Sequence, residues 1–243
     1  MIGYTITVGY EQLRDSELVT DGKVYIQNSS SWLPVVALNP QPGDRVLDVC
    51  AAPGGKSSHV AALLRGEGEL VVNDNSRPRL AKLQANLSRL GVSATYTLHD
   101  ATRLAKHFEP ESFDKILLDA PCSGEGLIDL RQPKTLDTWS VAHIRRLSDL
   151  QKKLLTQAWQ LLKVDGELVY STCTMAPEEN EAVIDYMLRR YDGVRVEPLD
   201  LEVSDALESW NGRAFDDQVQ YAGRVFPADG QEAFFVCKLK KTA

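Results

Sequence analysis

From residue 45 onward the chain alternates between two kinds of segment. Short apolar or β-branched runs are followed by longer stretches in which apolar residues recur at helical spacing. Arg45 to Cys50 reads as a buried strand, Lys56 to Leu64 as the helix behind it, and Glu69 to Asn73 as a second strand. Ser76 to Leu90 follows as a helix, with Ser76 as its N-cap, Pro78 in its first turn and Gly91 stopping it as a C′ glycine does. Ala94 to Leu98 reads as a third strand, Lys115 to Leu118 as a fourth, Ile144 to Leu162 as a long helix and Glu167 to Tyr170 as a fifth strand. Pro177 opens a helix over Glu178 to Arg190, and Phe234 to Leu239 forms a late strand.

Alternation at this spacing implies right-handed crossovers. The fold class it predicts is a doubly wound α/β domain with a mostly parallel sheet covered on both faces. Ligands of such sheets sit beyond the carboxyl ends of the strands, where the strand order reverses. The chemistry is therefore expected just after strands one, two, four and five. Leu199 to Gln220, acidic and irregular, is expected to be a surface excursion.

A chain of 243 residues with 43% hydrophobic content is long enough for one core. No run approaches the roughly 20 apolar residues of a membrane span, and Met1 to Thr5 has neither the basic flank nor the apolar run of a signal peptide. A cytoplasmic protein with no membrane partner is expected. Four cysteines, Cys50, Cys122, Cys173 and Cys237, are scattered without a CxxC pair, which suggests neither a disulfide framework nor a zinc site. The net charge of −7 argues against gripping nucleic acid through a global positive field. Local basic clusters at Arg77-Arg79-Lys82, Arg145-Arg146 and Lys238-Lys240-Lys241 read either as RNA contacts or as solvated element ends.

The strand tips carry the candidate chemistry. After strand one, Cys50-Ala51-Ala52-Pro53-Gly54-Gly55-Lys56 is a loop of small residues entering a helix; it is either a tight turn or a place where a ligand approaches the backbone. It is neither GxGxxG nor a Walker A loop. Asp74 after strand two is placed to accept from ribose hydroxyls, or belongs to a plain Asn73-Asp74-Asn75 turn. Asp100 after strand three could accept from an adenine amino group. Three such elements on consecutive strand tips favour an adenosine-type cofactor. After strand four comes Asp119-Ala120-Pro121-Cys122-Ser123-Gly124, and after strand five Ser171-Thr172-Cys173-Thr174, so two cysteines distant in sequence face one pocket or are two small buried hydrophobes.

Asp48 to Lys56, Asp119 to Gly124, and Ser171 to Thr174 followed by Pro177-Glu178-Glu179-Asn180-Glu181 resemble, in order, the signatures of the Sun/Fmu-type RNA cytosine-5 methyltransferases. The resemblance runs from about Tyr25 to the Phe234-Phe235 strand, which makes residues 1–24 a short N-terminal segment and 25–243 the catalytic domain. It implies that Cys50, Ala51, Ala52, Pro53, Gly54, Gly55, Lys56, Asp74, Arg79, Asp100 and Asp119 hold S-adenosylmethionine. It also implies that Cys173 is the nucleophile and that Cys122 assists product release.

That division agrees with the chemistry. Carbon 5 of cytosine is a poor nucleophile until a thiolate adds to carbon 6 and turns the ring into an enamine. An ordinary Cys is only a few per cent thiolate at neutral pH, so Cys173 has to be activated. Asp119 is the candidate to stabilise the adduct at N3, and Lys56 reaches the base or cofactor or is solvated. The target must leave its stack, so a loop, a bulge or unfolded RNA is expected as substrate, ribosomal RNA first and transfer RNA second. Trp139 and Tyr170 are candidate stacking partners or core aromatics. Family members commonly carry an extra RNA-binding domain, and its absence from this sequence together with the acidic charge suggests a targeting protein partner. Two rivals stand beside this reading. One is a non-catalytic RNA-binding or ribosome-assembly factor with the same fold; the other is a methyltransferase of this fold acting on protein or on DNA cytosine, the last with Cys122 as its nucleophile.

Overall fold

The computed structural model describes residues 6–129, 131–137, 139–227 and 231–243. Two short helices, α1 (Tyr10–Arg14) and α2 (Glu17–Thr20), and then α3 (Leu33–Leu38) precede β1 (Arg45–Asp48). The alternation follows: α4 (Gly55–Leu64), β2 (Glu69–Asn73), α5 (Arg77–Arg89), β3 (Thr95–Thr97), β4 (Phe113–Asp119), α6 (Val141–Leu161), β5 (Leu162–Thr172) and α7 (Glu181–Arg190). After β6 (Val194–Glu197) come the two-residue β7 (Ser204–Asp205) and the hairpin strands β8 (Ser209–Trp210) and β9 (Arg213–Ala214). The last strands are β10 (Gly223–Val225) and β11 (Phe234–Lys241).

Among the described residues nine strands form one sheet in the order β3-β2-β1-β4-β5-β11-β10-β7, with β6 also paired to β11. The first five strands in that order are parallel; β11 runs antiparallel to β5, with Phe235 opposite Thr172. The order reverses between β1 and β4, which makes their adjacent tips the switch point of a doubly wound sheet. Strands β1, β2 and β4 are almost wholly buried because helices cover both faces. On one face Leu118, Tyr170 and Phe235 pack with Leu155, Ile184 and Met187 of α6 and α7. On the other, Val46, Val72 and Leu117 pack with Leu38, Val60 and Leu83 of α3, α4 and α5.

The expected helices and strands are present with shifted ends. Ser140 caps α6 by accepting from His143 N. Strand five is longer than its apolar run, because β4 and β11 pair with it through the polar residue Glu167. Helix α7 begins at Glu181 rather than Glu178, since 177–180 form turns. Leu199 to Gln220 is not simply a surface excursion: Ala206, Phe215 and Val219 are buried in it, and Arg213 and Asp216 are tied to Asp185 of α7. No helix among the described residues is long and apolar enough to cross a membrane.

Candidate active site

The tip of β1 ends in a charged residue inside a buried run, which needs a partner to be tolerated. Asp48 is 1% exposed and accepts from Ser57 Oγ at 2.6 Å, while its Oδ1 has no hydrogen-bond partner among the described residues. Burial pushes its carboxyl up to about 7, opposed by the Ser57 hydrogen bond and reinforced by the charge of Asp119. The loop that follows turns through Gly54, whose φ of 108° is left-handed and suits only glycine, and enters α4 at Gly55. A side chain at Gly55 would put its Cβ 2.9 Å from the ring of Tyr25 and 3.0 Å from Gln27 Oε1, so the small residue lets the N-terminal segment close over the loop.

Lys56, one residue into α4, points across to β4. Its Nζ lies 2.7 Å from Asp119 Oδ2 and 5.4 Å from the centre of the Phe234 ring, and Ser171 Oγ donates to Asp119 Oδ1 at 2.8 Å. Burial draws protons off the ammonium, but the Asp119 carboxylate outweighs it and holds Lys56 charged beyond its ordinary range.

Beyond the tips of β4 and β5 the two cysteines meet. Cys122 Sγ and Cys173 Sγ are 3.3 Å apart, and both are free thiols. The hydrogen bond from Cys122 lowers the Cys173 thiol pKa; burial and the Asp119 charge oppose this and Lys56 assists it. The same contact, with burial, pushes Cys122 well above the usual thiol range. Gly126 N donates to Cys173 O at 3.0 Å, an approach with room for no side chain, because a Cβ there would sit 2.9 Å from that oxygen.

Cys50, Ala51, Ala52, Pro53, Gly55, Lys56 and Asp119 line one cavity of about 210 Å³ together with Asp48, Tyr25, Gln27 and Ser31. Burial pushes the Cys50 thiol far up, so it serves as wall rather than nucleophile. Asp74, Arg79 and Asp100 lie outside that lining. Asp74 is buried, accepts from Ser76 N and pairs with Arg79 at 3.3 Å; Arg79 also donates to Ala52 O at 2.9 Å, fastening the β1–α4 loop to α5. Asp100 is exposed and accepts from Thr102 N and Oγ1, capping a short 3-10 turn. Tyr170 is a core residue, not a stacking partner: it is fully buried and its hydroxyl donates to Glu179 O at 2.6 Å. Trp139 is 45% exposed, and its indole N–H donates to Glu125, whose other oxygen accepts from Thr174 beside Cys173. Lys238 and Lys241 are tied to Glu167 and Glu111, so that basic cluster is not a free cationic patch.

Several residues at this site had no assigned role. Asp48 and Gln27 are the clearest, and the signal for Asp48 was an acidic residue closing an apolar strand. Asn73, fully buried, donates to Val49 O and His99 O and accepts from His99 N, so it knits the tips of β1, β2 and β3. Gln27 Nε2 is buried without a partner among the described residues, as is Asp48 Oδ1. A donor and an acceptor left over in one small cavity match the carboxylate and ammonium of an amino-acid terminus, such as S-adenosylmethionine carries. The residues present fit that cofactor. Among the described residues no group of three or more His, Cys, Asp or Glu is placed to hold a metal ion.

Comparison with known proteins agrees. The family model described as 16S rRNA methyltransferase RsmB/F matches residues 35–240. A tRNA (cytosine(49)-C(5))-methyltransferase of Pyrococcus abyssi is 40% identical over 237 residues, covering 96% of this chain and 74% of that protein. Ribosomal RNA small subunit methyltransferase F of Serratia proteamaculans is 38% identical over 244 residues, covering 98% of this chain and 50% of that one. The solved structure of NSun6 from Pyrococcus horikoshii with SFG, an analogue of S-adenosylmethionine, superposes with a TM-score of 0.79 at 32% identity, over 95% of this chain and 56% of that one. The chain thus spans about half the length of the last two. Its sheet, its paired cysteines and a family match over most of its length lead to one conclusion: the chain belongs to the RsmB/F family of S-adenosylmethionine-dependent RNA methyltransferases.

Proposed function

We propose that the protein methylates carbon 5 of a cytosine in RNA through a covalent bond between Cys173 Sγ and carbon 6. The observation that carries this reading is the contact of two thiols, 3.3 Å apart, in which one is made more acidic and the other less. S-adenosylmethionine supplies the electrophilic methyl group. Cys173 as thiolate adds to carbon 6; the C5–C6 electron pair moves into the ring, and N3 takes up the balancing proton or a hydrogen bond. The Asp119 carboxylate accepts a hydrogen bond from the N3–H, and the Lys56 ammonium paired with it is the nearby proton donor. Once the Cys173 sulfur is bonded to the ring its negative charge is gone, so the charge that kept Cys122 protonated no longer acts. Carbon 5, now nucleophilic, takes the methyl group, the cofactor's sulfur keeping the electron pair of the broken bond. Cys122 then gives its own proton to water and, as thiolate, removes the proton from carbon 5; the C5–H electron pair becomes the C5–C6 double bond, the C6–S bond breaks to return Cys173 as thiolate, and N3 gives up the proton it had taken. The charge of Lys56, which acts on Cys173 to favour its thiolate, supports Cys173 over Cys122 as the nucleophile.

Asp48 and Gln27 complete the cofactor pocket in this reading, and Cys50 to Lys56, Asp74, Arg79, Asp100 and Asp119 remain its proposed holders. The substrate is an unstacked cytosine, with Trp139 available to stack on a base at the rim. Relatives named for ribosomal and for transfer RNA keep both substrates open, with ribosomal RNA the first choice. A net charge of −7 gives little long-range attraction to phosphate, which favours a targeting protein partner in the cytoplasm.

The test incubates the protein and its Cys122→Ala and Cys173→Ala variants with labelled S-adenosylmethionine and total RNA. The readouts are 5-methylcytosine and adducts that survive denaturation. Methylation by the native protein, none by Cys173→Ala, and trapped adduct in Cys122→Ala are expected. Trapped adduct in Cys173→Ala instead would reverse the roles, and cofactor binding without methylation or adduct would favour a non-catalytic RNA-binding factor.

A further inference from the structure

The segment Pro177-Glu178-Glu179-Asn180-Glu181 takes no part in the reaction described, yet Glu179, Asn180 and Glu181 are each 0% exposed. Fully buried polar side chains are tolerated where they are paired, so their partners show what they hold. Asn180 Oδ1 accepts from Thr172 Oγ1 at 2.5 Å, and its Nδ2 donates to Thr174 O at 3.0 Å; these are the two neighbours of Cys173. Glu179 Oε2 accepts from Ser123 N at 3.1 Å and from Gln151 Nε2 at 2.7 Å, and that same nitrogen donates to Pro121 O at 2.9 Å. Pro121 and Ser123 are the two neighbours of Cys122. A direct hydroxyl contact between Ser123 and Thr174, 2.8 Å, closes the loops on each other.

We propose that Glu179 and Asn180 are positioning residues that hold the Cys122 and Cys173 thiols in contact, Asn180 gripping both neighbours of Cys173 directly and Glu179 gripping those of Cys122, Ser123 directly and Pro121 through Gln151. The inference rests on the reading of these cysteines as the working pair. Because consecutive residues of one turn carry both grips, a shift of the turn moves both loops together. The rest of the buried network anchors the turn: Tyr170 donates to Glu179 O, and Glu181 pairs with Arg224, which donates to Met175 O. The two loops are thereby registered to a common frame rather than to each other alone.

The experiment measures the alkylation rate of Cys173 by iodoacetamide across pH, read by peptide mapping, beside the melting temperature. It needs no RNA, so its failure is separable from failure of the methylation assay. Cys122→Ala, which removes the contact outright, sets the reference. Thr172→Val removes the hydroxyl that Asn180 holds without changing shape, and Glu179→Gln replaces an acceptor oxygen with a donor. Both are expected to raise the Cys173 inflection by about one pH unit, a roughly tenfold slower alkylation near neutral pH, as in Cys122→Ala. Thr172→Ser is expected to restore the native inflection. An unmoved inflection with a lowered melting temperature in Thr172→Val and Glu179→Gln would overturn the proposal and leave the segment a fold element. An inflection that Cys122→Ala itself leaves unmoved would overturn it as well.

Discussion

The ammonium of Lys56 lies 2.7 Å from Asp119 Oδ2, an ion pair that joins the start of α4 to the tip of β4 with only 16% and 29% of the two side chains exposed. Partial burial strengthens such a pair and makes it costly to leave either charge alone. Lys56→Met should leave the Asp119 charge uncompensated beside Cys173, and the thiol should become harder to ionise. Single-turnover methyl transfer at saturating cofactor is expected to slow by about 10²–10⁴-fold. A loss confined to cofactor binding would place the pair outside the reaction.

Asp48 gives a pH dependence whose sign follows from burial. Its folded pKa is raised, so the folded protein holds this proton more tightly than the unfolded chain does. The contribution to stability is complete below the ordinary carboxylate pKa of about 4. It is lost as pH rises through the folded value of about 7. Asp48→Asn should therefore flatten the stability curve across that window, and at pH 8 the variant should be more stable than the native protein by about 1–3 kcal/mol. Denaturant titrations at several pH values measure this; parallel curves for the two proteins would assign the pH dependence elsewhere.

The glycines of the β1–α4 loop should fail differently. Gly54→Ala meets both the left-handed φ of 108° and Leu83 Cδ1 at 2.8 Å, and should cost about 1–2 kcal/mol of stability. Gly55→Ala carries no such strain but displaces Tyr25 and Gln27. Calorimetric titration with S-adenosylmethionine should then show roughly tenfold weaker binding at near-native stability. Equal losses of stability at both positions would contradict a specific role for Gln27.

Arg224 and Glu181 form a bidentate pair at 2.6 Å with 3% and 0% of their side chains exposed. Arg224→Met strands a buried carboxylate, and thermal or chemical unfolding should reveal a loss of about 3–5 kcal/mol. Exchanging both residues for apolar ones should recover much of it; no recovery would mean that Glu181 acts mainly through its bond to Leu207 N.

Strands β1, β2 and β4 were legible because their centres are buried on both faces and read as unbroken apolar runs, with β2 found at its observed limits. The N-terminal helices α1 and α2 left no such signal, since they are five and four residues long and contain no buried residue. The extension of β5 back to Leu162 runs through the exposed stretch Val164-Asp165 and is held by pairing rather than by hydrophobicity. At the site, sequence order brought Cys122 and Cys173 to neighbouring tips, but nothing along the chain says that their sulfurs touch or that Lys56 turns toward Asp119. Those contacts depend on rotamers fixed by Phe234, Ser171 and the turn at 177–180, which lie far in sequence from Lys56 and Cys122. Tyr170 was ambiguous for a related reason: periodicity places an aromatic on a strand without saying which of two buried faces it meets.

The late strand β11 has a consequence for how the protein is made. It lies between β5 and the pair β6 and β10, and its residues 235–240 are matched to Thr172 through Glu167. Until synthesis reaches residue 241, β5 is an edge with one row of backbone groups unpaired, and Phe234 is not yet beside Lys56. The loop bearing Cys173 therefore gains the support of β11 only after β1 to β5 have all been made, so the two halves of the sheet meet late in synthesis.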